Sequence, residues 1–150
     1  DGQEITLEGE KSKTVNVFSD DNYEGRKEST KINEDERDYV IWKNKLSELM
    51  TEKRLFENPR LTLSDVAKEL NVTTKIVSSV VNSGFAMNFN DFINHYRIDA
   101  VKERLNKGEH HRTTLLGIAL DCGFNSKATF NRAFKKSTSL SPKDYIEKLS

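Results

Sequence analysis

The apolar positions of the chain change their spacing near Asn33. Before that residue they are sparse and follow no helical period, although Ile5-Thr6-Leu7 and Val15-Asn16-Val17 alternate with period two on either side of Gly9. An isolated two-stranded hairpin is only marginally stable in water. We therefore predict that residues 1–32 form a polar arm or linker, with a short hairpin as the alternative.

From Asn33 onward, apolar residues recur at steps of three and four, which predicts helices. The first predicted helix begins at Asn33, where Glu36 completes a capping box, and runs to about Arg54 before Asn58-Pro59. Its apolar face consists of Tyr39, Trp42, Leu46, Leu49 and Met50. A long helix is predicted at about 88–106, and at about 1.5 Å per residue it is roughly 30 Å long.

Two pairs of short helices are predicted on either side of the long helix, and a short closing helix follows the second pair. A Ser or Thr that can accept a hydrogen bond from the first turn precedes each of these helices. The expected capping residues are Thr62 (with Asp65), Thr73, Thr113 or Thr114, Ser126 and Ser141 (before Pro142). Each pair predicts a helix-turn-helix, the first at about 62–84 and the second at about 114–137.

The two pairs are copies of one unit. Equivalent apolar positions lie 52 residues apart, and 53 apart after one residue is added in the second turn. These positions are Ala67, Val72, Val77 and Val81 in the first unit and Ala119, Phe124, Phe130 and Phe134 in the second. The alanine allows close approach of the two helices, and the two apolar residues four apart fix the second helix. We therefore predict an all-α fold with two helix-turn-helix subdomains joined by a long linker helix.

Charge divides the chain into two halves. Lys and Arg (24) balance Asp and Glu (24) overall, but residues 1–58 carry 10 basic and 15 acidic side chains (net −5), and residues 59–150 carry 14 and 9 (net +5). The basic half is a modest indication of a polyanionic partner. No apolar run approaches the roughly 20 residues that cross a bilayer, so we expect no membrane segment and a cytoplasmic location.

The sequence offers no constellation of residues for catalysis. It contains no phosphate loop, nucleophile elbow or paired catalytic carboxylates. The single cysteine, Cys122, excludes a disulfide framework and a multi-thiolate zinc site, and we expect it to pack as a small apolar residue. Glu109, His110 and His111 lie in a predicted flexible loop without a further ligand, which favours solvated side chains over a metal site. We predict a protein that is not an enzyme and has no cofactor or metal.

The second unit contains a long motif, Ile118-Ala119-x-x-x-Gly123-Phe124-x-Ser126-x-x-x-Phe130-x-Arg132-x-Phe134-Lys135-Lys136, followed by Ser141-Pro142-x-x-Tyr145. This motif resembles the signature of the AraC/XylS family of bacterial transcription regulators. Phe89-Asn90-Asp91-Phe92-Ile93 and Arg97-x-x-Ala100 extend the resemblance, which covers roughly residues 60–149. The helix around Trp42, with the turn Leu55-Phe56-Glu57-Asn58-Pro59, resembles a branch common in Bacteroidetes whose DNA-binding part often ends a sensor protein.

The resemblance implies a sequence-specific DNA-binding transcriptional regulator whose DNA-binding domain is residues 33–150. One protomer is expected to bind two successive major-groove segments of double-stranded DNA. RNA polymerase, and a sensor domain upstream of Asp1, are the further partners that the resemblance implies. A competing hypothesis of another class is a helical protein-interaction module that retains the fold without operator binding.

The resemblance places DNA contacts on the outer face of the second helix of each pair. In the first unit the candidates are Thr74, Lys75, Ser78, Ser79 and Asn82. In the second unit they are Asn125, Ser126, Lys127, Thr129, Asn131, Arg132 and Lys136. Arg binds guanine and Asn binds adenine through two hydrogen bonds, and the Thr methyl group can meet thymine, whereas Ser is a poor bidentate reader. We therefore expect the second unit to carry direct base readout and the first to contribute shape and phosphate contacts.

Three positions differ from the residue that is usual in the family, and a fourth matches an internal arginine. Ala86 and Ser139 stand where the family usually has glycine after each recognition helix, so we expect strained or re-routed helix ends. Ile146 replaces the family's usual arginine after the closing tyrosine. Arg97 matches an internal arginine of the family, and we expect a structural ion pair with an acidic residue, outside the DNA-binding set.

Overall fold

The computed structural model describes the backbone of residues 29–149 and the side chains of residues 38–149. Within that part of the chain the regular elements are all helical, which confirms the all-α prediction. They are α1 Ser29–Thr51, α2 Leu63–Leu70, α3 Thr74–Gly84, α4 Phe89–Asn106, α5 Leu115–Asp121, α6 Lys127–Thr138 and α7 Pro142–Leu149, with short 3₁₀ helices at Leu55–Glu57 and Glu109–His111. None of the described helices is long and apolar enough to cross a membrane.

Helix α1 departs from its predicted bounds at both ends. It begins at Ser29, so Asn33 lies inside the helix and is not its capping residue, and the last four residues of the predicted arm are helical. It ends at Thr51, and Arg54 (φ 51°) takes a left-handed conformation before the 3₁₀ helix. Apolar spacing alone missed the first turn because that turn is polar. The possible hairpin lies outside the described residues.

Side-chain caps fix the starts of the short helices. Thr62 Oγ1 accepts a hydrogen bond from the Asp65 amide (3.1 Å), and Asp65 Oδ2 accepts one from the Thr62 amide (3.0 Å), which completes a capping box. Thr114, not Thr113, caps α5 by accepting from the Gly117 amide at 2.9 Å. Thr73 and Ser126 cap α3 and α6 as predicted.

The predicted repeat is present in the turns between the paired helices. The Val72 amide donates to the Ala67 carbonyl (3.0 Å), and its equivalent, the Phe124 amide, donates to the Ala119 carbonyl (3.1 Å). The residue before each donor has positive φ: Asn71 (59°) in the first turn and Gly123 (110°) in the second. Asn and Gly are both favoured at such helix-ending positions. The two turns therefore use different residues for the same positive-φ conformation.

The chain folds as two compact units. The described part of the first unit comprises residues 29–51 and 62–89, and within it α3 packs against both α1 and α2. Its buried apolar residues are Leu46, Leu49, Met50, Val66, Ala67, Val77, Val80 and Val81. The buried positions of α2 and α3 recur at helical spacing, as the sequence pattern predicted.

The second unit comprises Glu52–Leu61 and the residues from Asn90 onward. Its buried apolar residues are Phe56, Phe92, Ile93, Ile98, Ala100, Val101, Leu105, Ile118, Ala119, Cys122, Phe124, Phe130 and Phe134. Phe124, Phe130, Phe134 and Tyr145 form a row of edge-to-face contacts with ring centroids 5.3–5.7 Å apart, a favourable geometry for aromatic pairs. This row fixes the buried side of α6 against α7 and the preceding turn.

Arg97 joins α4 to the segment Glu52–Leu61 within the second unit. Its Nε donates to the Phe56 carbonyl at 2.7 Å, its Nη2 to the Asn58 carbonyl at 2.9 Å, and its Nη1 to Asn94 Oδ1 at 3.2 Å. The prediction of an acidic partner was wrong, because the oxygens that need donors here are the carbonyls of the 3₁₀ segment. Burial lowers the pKa of Arg97 from its ordinary value, but a guanidinium remains charged at neutral pH.

Gly123 lies directly against this junction. A Cβ at this position would be 2.1 Å from the Phe56 carbonyl oxygen and 2.6 Å from Arg97 Nε. Glycine is therefore required for two independent reasons, its positive φ and the close approach of the 3₁₀ segment. The glycine of the AraC/XylS-like motif thus has a local physical explanation in this chain.

The two positions where the family usually has glycine are both left-handed here. Ala86 has φ 58°, and Ser139, the residue that ends α6, has φ 65°. The Ser139 amide donates to the Lys135 carbonyl at 2.8 Å, so the helix ends as it would with glycine. The expected strain is present, because a left-handed conformation costs an L-residue with a Cβ roughly 1–2 kcal/mol.

Candidate DNA-binding surface

Helix α3 presents a small polar face. Val77, Val80 and Val81 are buried, and a period of 3.6 residues directs Lys75, Ser78 and Asn82 to the opposite side. Lys75 and Asn82 are exposed, Ser78 is half-buried, and Thr74 is exposed in the first turn. Asn82 Nδ2 donates to Ser78 Oγ at 3.5 Å. The candidates on this helix therefore combine one cation with short polar groups.

Ser79 is the member of the predicted α3 set that faces α1. Its hydroxyl lies 2.9 Å from Tyr39 Oη, and Tyr39 Oη also donates to the Ser79 carbonyl. Nearby, Lys43 Nζ of α1 lies 5.2 Å from the centre of the Phe85 ring at the end of α3. These contacts place the Ser79 side chain in the packing between α1 and α3.

Helix α6 presents a longer and more basic face. Phe130 and Phe134 are buried, and the helical period directs Arg132 and Lys136 to the opposite side. The other predicted members on the helix are Lys127 and Asn131, both exposed, and Thr129, which is half-buried. Over Lys127–Thr138 the helix carries four basic residues and no acidic one, against one basic residue in α3. Asn125 is exposed in the preceding turn, and Ser126 is half-buried at the cap.

A row of hydrogen bonds runs along the first two turns of α6. Ser126 Oγ accepts from the Thr129 amide (3.1 Å) and donates to Thr129 Oγ1 (3.0 Å). Thr129 Oγ1 also accepts from Arg132 Nη2 at 3.3 Å. The guanidinium of Arg132 is therefore connected through Thr129 to the capping residue of its own helix.

Lys136 forms an ion pair with Asp91, and both residues belong to the second compact unit. Its Nζ lies 2.8 Å from Oδ2 of Asp91, in the first turn of α4. The lysine side chain is 72% exposed and the aspartate 33% exposed, so the pair is accessible to solvent and to a competing anion. A surface pair of this kind contributes about 1 kcal/mol at most.

Sequence reasoning missed two exposed residues of the same helix. Ala128 and Lys135 lie on the outer side of α6, where Lys135 follows Arg132 by three positions and Asn131 by four. That spacing was visible in the sequence and could have added Lys135 to the candidates. The Lys136–Asp91 pair had no comparable signal, because its two residues are 45 positions apart.

Residues Glu109–His111 form a short 3₁₀ helix where the sequence predicted a loop. Glu109 Oε1 accepts from Arg104 Nε at 2.6 Å, and Arg104 Nη1 also donates to Asp121 Oδ2 at 3.1 Å. Hydrogen bonding to Glu109 raises the pKa of Arg104. The prediction of a solvated Glu109 side chain was therefore wrong, because that side chain is paired with Arg104. The two histidine rings are 4.1 Å apart, and within residues 38–149 no three His, Cys, Asp or Glu side chains are grouped as metal ligands.

Cys122 is buried beside the turn of the second pair, as predicted for a small apolar residue. Burial raises the pKa of its thiol, which keeps the thiol protonated at neutral pH. A protonated, buried thiol is a weak nucleophile. This side chain therefore contributes packing to the second unit.

The chain is similar in sequence to known helix-turn-helix proteins. The Helix-turn-helix domain family matches residues 66–148, which is more than half of the 150 residues. An "Uncharacterized HTH-type transcriptional regulator YijO" of Escherichia coli (strain K12) is 32% identical over 85 residues, which are 57% of this chain and 29% of the relative. The chain thus spans less than a third of the length of that curated relative.

Solved structures share the fold. A protein of unknown function from Listeria innocua aligns over 72% of this chain and 96% of its own, with 25% identity and a TM-score of 0.59. The C-terminal domain of AraT, a response regulator from Geobacillus stearothermophilus, aligns over 73% and 84%, with 24% identity and a TM-score of 0.58. The C-terminal domain of the two-component response regulator yesN from Fusobacterium nucleatum aligns over 71% and 98%, with 23% identity and a TM-score of 0.59.

The family match at residues 66–148 covers most of α2, all of α3 to α6 and all of α7 except its last residue. This range contains the repeat positions, the caps of α3 and α6, and Gly123 in the second turn. The chain belongs to the AraC-type helix-turn-helix family of DNA-binding transcriptional regulators.

Proposed function

We propose that this chain binds operator DNA sequence-specifically, and that α6 supplies most of the base recognition while α3 supplies shape fit and phosphate contacts. The observation that carries the proposal is the difference between the outer faces of the two helices. The α6 helix carries four cations, one of them an arginine, together with Asn131, whereas α3 carries one lysine, Asn82 and short hydroxyl side chains. Arginine is well suited to bind guanine through two hydrogen bonds, and of the two helices α6 carries the arginine.

Individual roles follow from side-chain chemistry. Arg132 is proposed to bind guanine through O6 and N7, and Asn131 to bind adenine through N6 and N7. Lys127 is a second candidate for guanine. Several further residues are proposed to contact phosphates or to fit the groove: Thr74, Lys75, Ser78, Asn82, Asn125 and Lys136 from the sequence prediction, with Lys135 added from the structure. Ser79 is assigned to helix packing by its contact with Tyr39.

We further propose that one protomer binds two successive major-groove segments. The chain carries two complete helix-turn-helix units, each with its own cap and turn. Helix α4 has 18 residues, which at about 1.5 Å per residue is about 27 Å long. This length is comparable with the roughly 34 Å repeat of major-groove segments on one face of a duplex. A bound site should therefore be asymmetric, because the two units differ in sequence.

The role of the complete protein is part of the proposal. Two of the similar structures are described as C-terminal domains of response regulators, and the chain covers 29% of its curated relative. We propose that this chain acts as the DNA-binding part of a larger regulator that has a sensor domain upstream of Asp1. RNA polymerase is the further partner expected of a transcriptional regulator.

Selection from a randomised double-stranded DNA library, followed by hydroxyl-radical footprinting of the selected duplex, tests the proposal. We expect one asymmetric consensus and two protected segments about one duplex turn apart. Protection of a single segment would contradict the two-unit arrangement. Failure to enrich any sequence would favour the protein-interaction module, which retains the fold without operator binding.

A further inference from the structure

We propose that Thr129 is a positioning residue for Arg132 and does not itself recognise a base. The inference rests on the proposed function, since it assigns a role within the α6 surface. The alternative for Thr129 is the one that its side chain suggests in isolation, contact of its methyl group with thymine. The two roles use different parts of the same side chain, so they can be separated by substitution.

The Thr129 hydroxyl group lies within hydrogen-bonding distance of two donors. Thr129 Oγ1 accepts from Ser126 Oγ at 3.0 Å and from Arg132 Nη2 at 3.3 Å. A threonine oxygen has two acceptor positions, and these two donors account for both. Ser126 is itself fixed, because its oxygen accepts the Thr129 amide at the helix cap. The arginine is therefore held by a group whose own position is set by the backbone.

Arg132 keeps hydrogen-bond donors for a base after its contact with Thr129. A guanidinium has five N–H groups in a planar fork, and Thr129 engages one of them. Recognition of guanine O6 and N7 requires two. The contact with Thr129 thus leaves enough donors for bidentate recognition while it restricts the direction of the fork.

Ordering the Arg132 side chain on DNA costs conformational free energy. An arginine side chain has many rotamers, and immobilising it at an interface costs free energy that reduces affinity and selectivity. An exposed hydrogen bond of 3.3 Å is weak in water. Its contribution rises when DNA excludes solvent from the surface, because the local dielectric constant falls. The bond should therefore matter most in the complex.

Comparison of the two repeats supports the assignment. At the offset of 53 residues, Ser126, Thr129 and Arg132 correspond to Thr73, Ile76 and Ser79 in α3. The first unit keeps the capping hydroxyl but lacks both the second hydroxyl and the arginine. The hydrogen-bonded row is thus confined to the helix that has a long side chain to position.

Two substitutions at Thr129 separate the roles. Thr129→Val keeps the methyl group and removes the hydroxyl, whereas Thr129→Ser keeps the hydroxyl and removes the methyl. In both variants the backbone amide of residue 129 still donates to Ser126 Oγ, so α6 retains its cap. Circular dichroism and thermal unfolding establish that each variant folds. Each variant, Arg132→Ala and the wild-type chain are then passed through selection from the randomised duplex library.

The proposal predicts that Thr129→Val weakens binding to the wild-type consensus about threefold to tenfold, the range expected for one hydrogen bond. It also predicts that base preference relaxes at the same base pair as in Arg132→Ala. Thr129→Ser should keep the wild-type profile. In the Arg132→Ala background, Thr129→Val should change affinity by less than about twofold, because the partner is absent.

The outcomes distinguish this inference from the proposed function. If Arg132→Ala leaves every base preference unchanged, base recognition by Arg132 fails and the positioning role of Thr129 fails with it, while the proposed role of α6 then depends on Lys127 and Asn131. If Arg132→Ala relaxes one base pair but Thr129→Val does not, only the positioning role is overturned. Loss of a thymine preference in Thr129→Ser, with Thr129→Val unaffected, would establish the methyl contact in its place.

Discussion

At the scale of single residues, left-handed positions explain several features of the sequence. Four non-glycine residues have positive φ among those that the structure describes: Arg54, Asn71, Ala86 and Ser139. Asn tolerates this conformation, and Ala and Ser do so at a cost. Ala86 and Ser139 are the positions where the family usually has glycine. The sequence comparison with the family had already indicated where strain would lie.

Replacement of Ser139 by glycine should stabilise the protein. The left-handed strain is removed, although the unfolded chain gains entropy, so we expect the free energy of unfolding to rise by about 0.5–1 kcal/mol. Ser137→Gly is the matched control, since Ser137 is an exposed serine inside α6. That variant should lose about 0.5–1 kcal/mol. Urea unfolding measures both, and equal destabilisation by both would refute the strain argument.

Gly123 should tolerate alanine much less well than Gly108 does. Both have positive φ, but a Cβ at Gly108 would meet its nearest atom at 3.5 Å, whereas one at Gly123 would lie 2.1 Å from the Phe56 carbonyl oxygen. We expect Gly108→Ala to cost about 1 kcal/mol and Gly123→Ala about 2–4 kcal/mol. The comparison is made by urea unfolding. Equal losses would mean that the 3₁₀ segment moves away without cost.

At the scale of elements, capping residues and apolar spacing in the sequence predicted the helices, whereas contacts between residues far apart in the sequence could not be predicted. Thr62, Thr73 and Ser126 were found because a capping residue and its partner are three positions apart. The start of α1 was missed because its first turn is polar. The placement of Glu52–Leu61 in the second unit depends on Arg97, about 40 residues away, and no periodic pattern encodes it.

The contact of Arg97 with Glu52–Leu61 leads to a prediction about the order of that segment. Arg97→Met leaves the Phe56 and Asn58 carbonyls without their donor, so we expect a loss of about 2–4 kcal/mol. Amide hydrogen exchange within Glu52–Leu61 should accelerate. Arg60→Met, which removes an exposed arginine from the same segment, is the control. Unchanged exchange in Arg97→Met would show that Phe56 alone holds the segment.

The pair between α6 and α4 predicts competition with DNA. If Lys136 contacts phosphate, Asp91 must release it, so Asp91→Asn should tighten binding to DNA by up to about fivefold at low salt. Asp99→Asn removes the same charge from α4 at a residue that faces His95 and Lys102. Fluorescence anisotropy with a mixed-sequence duplex compares the two variants. Equal gains would indicate a general charge effect and not the release of Lys136.

At the scale of the whole molecule, one chain carries two versions of the same unit with different surfaces. The caps, the closing hydrogen bonds and the buried positions are retained in both, whereas the outer face of the second helix differs in charge and length. The proposed difference in selectivity between the two helix pairs rests on these outer faces. The proposed DNA recognition therefore depends on α6 more than on any other element.

Sequence-specific binding is measured by anisotropy titration of the chain with its selected duplex and with a scrambled duplex at near-physiological salt. The account predicts that the selected duplex binds at least about a thousandfold more tightly. Alanine at Lys127, Asn131 and Arg132 should bring that ratio close to one, while alanine at Lys75, Ser78 and Asn82 should leave most of it. A ratio near one for the wild-type chain would contradict sequence-specific DNA binding.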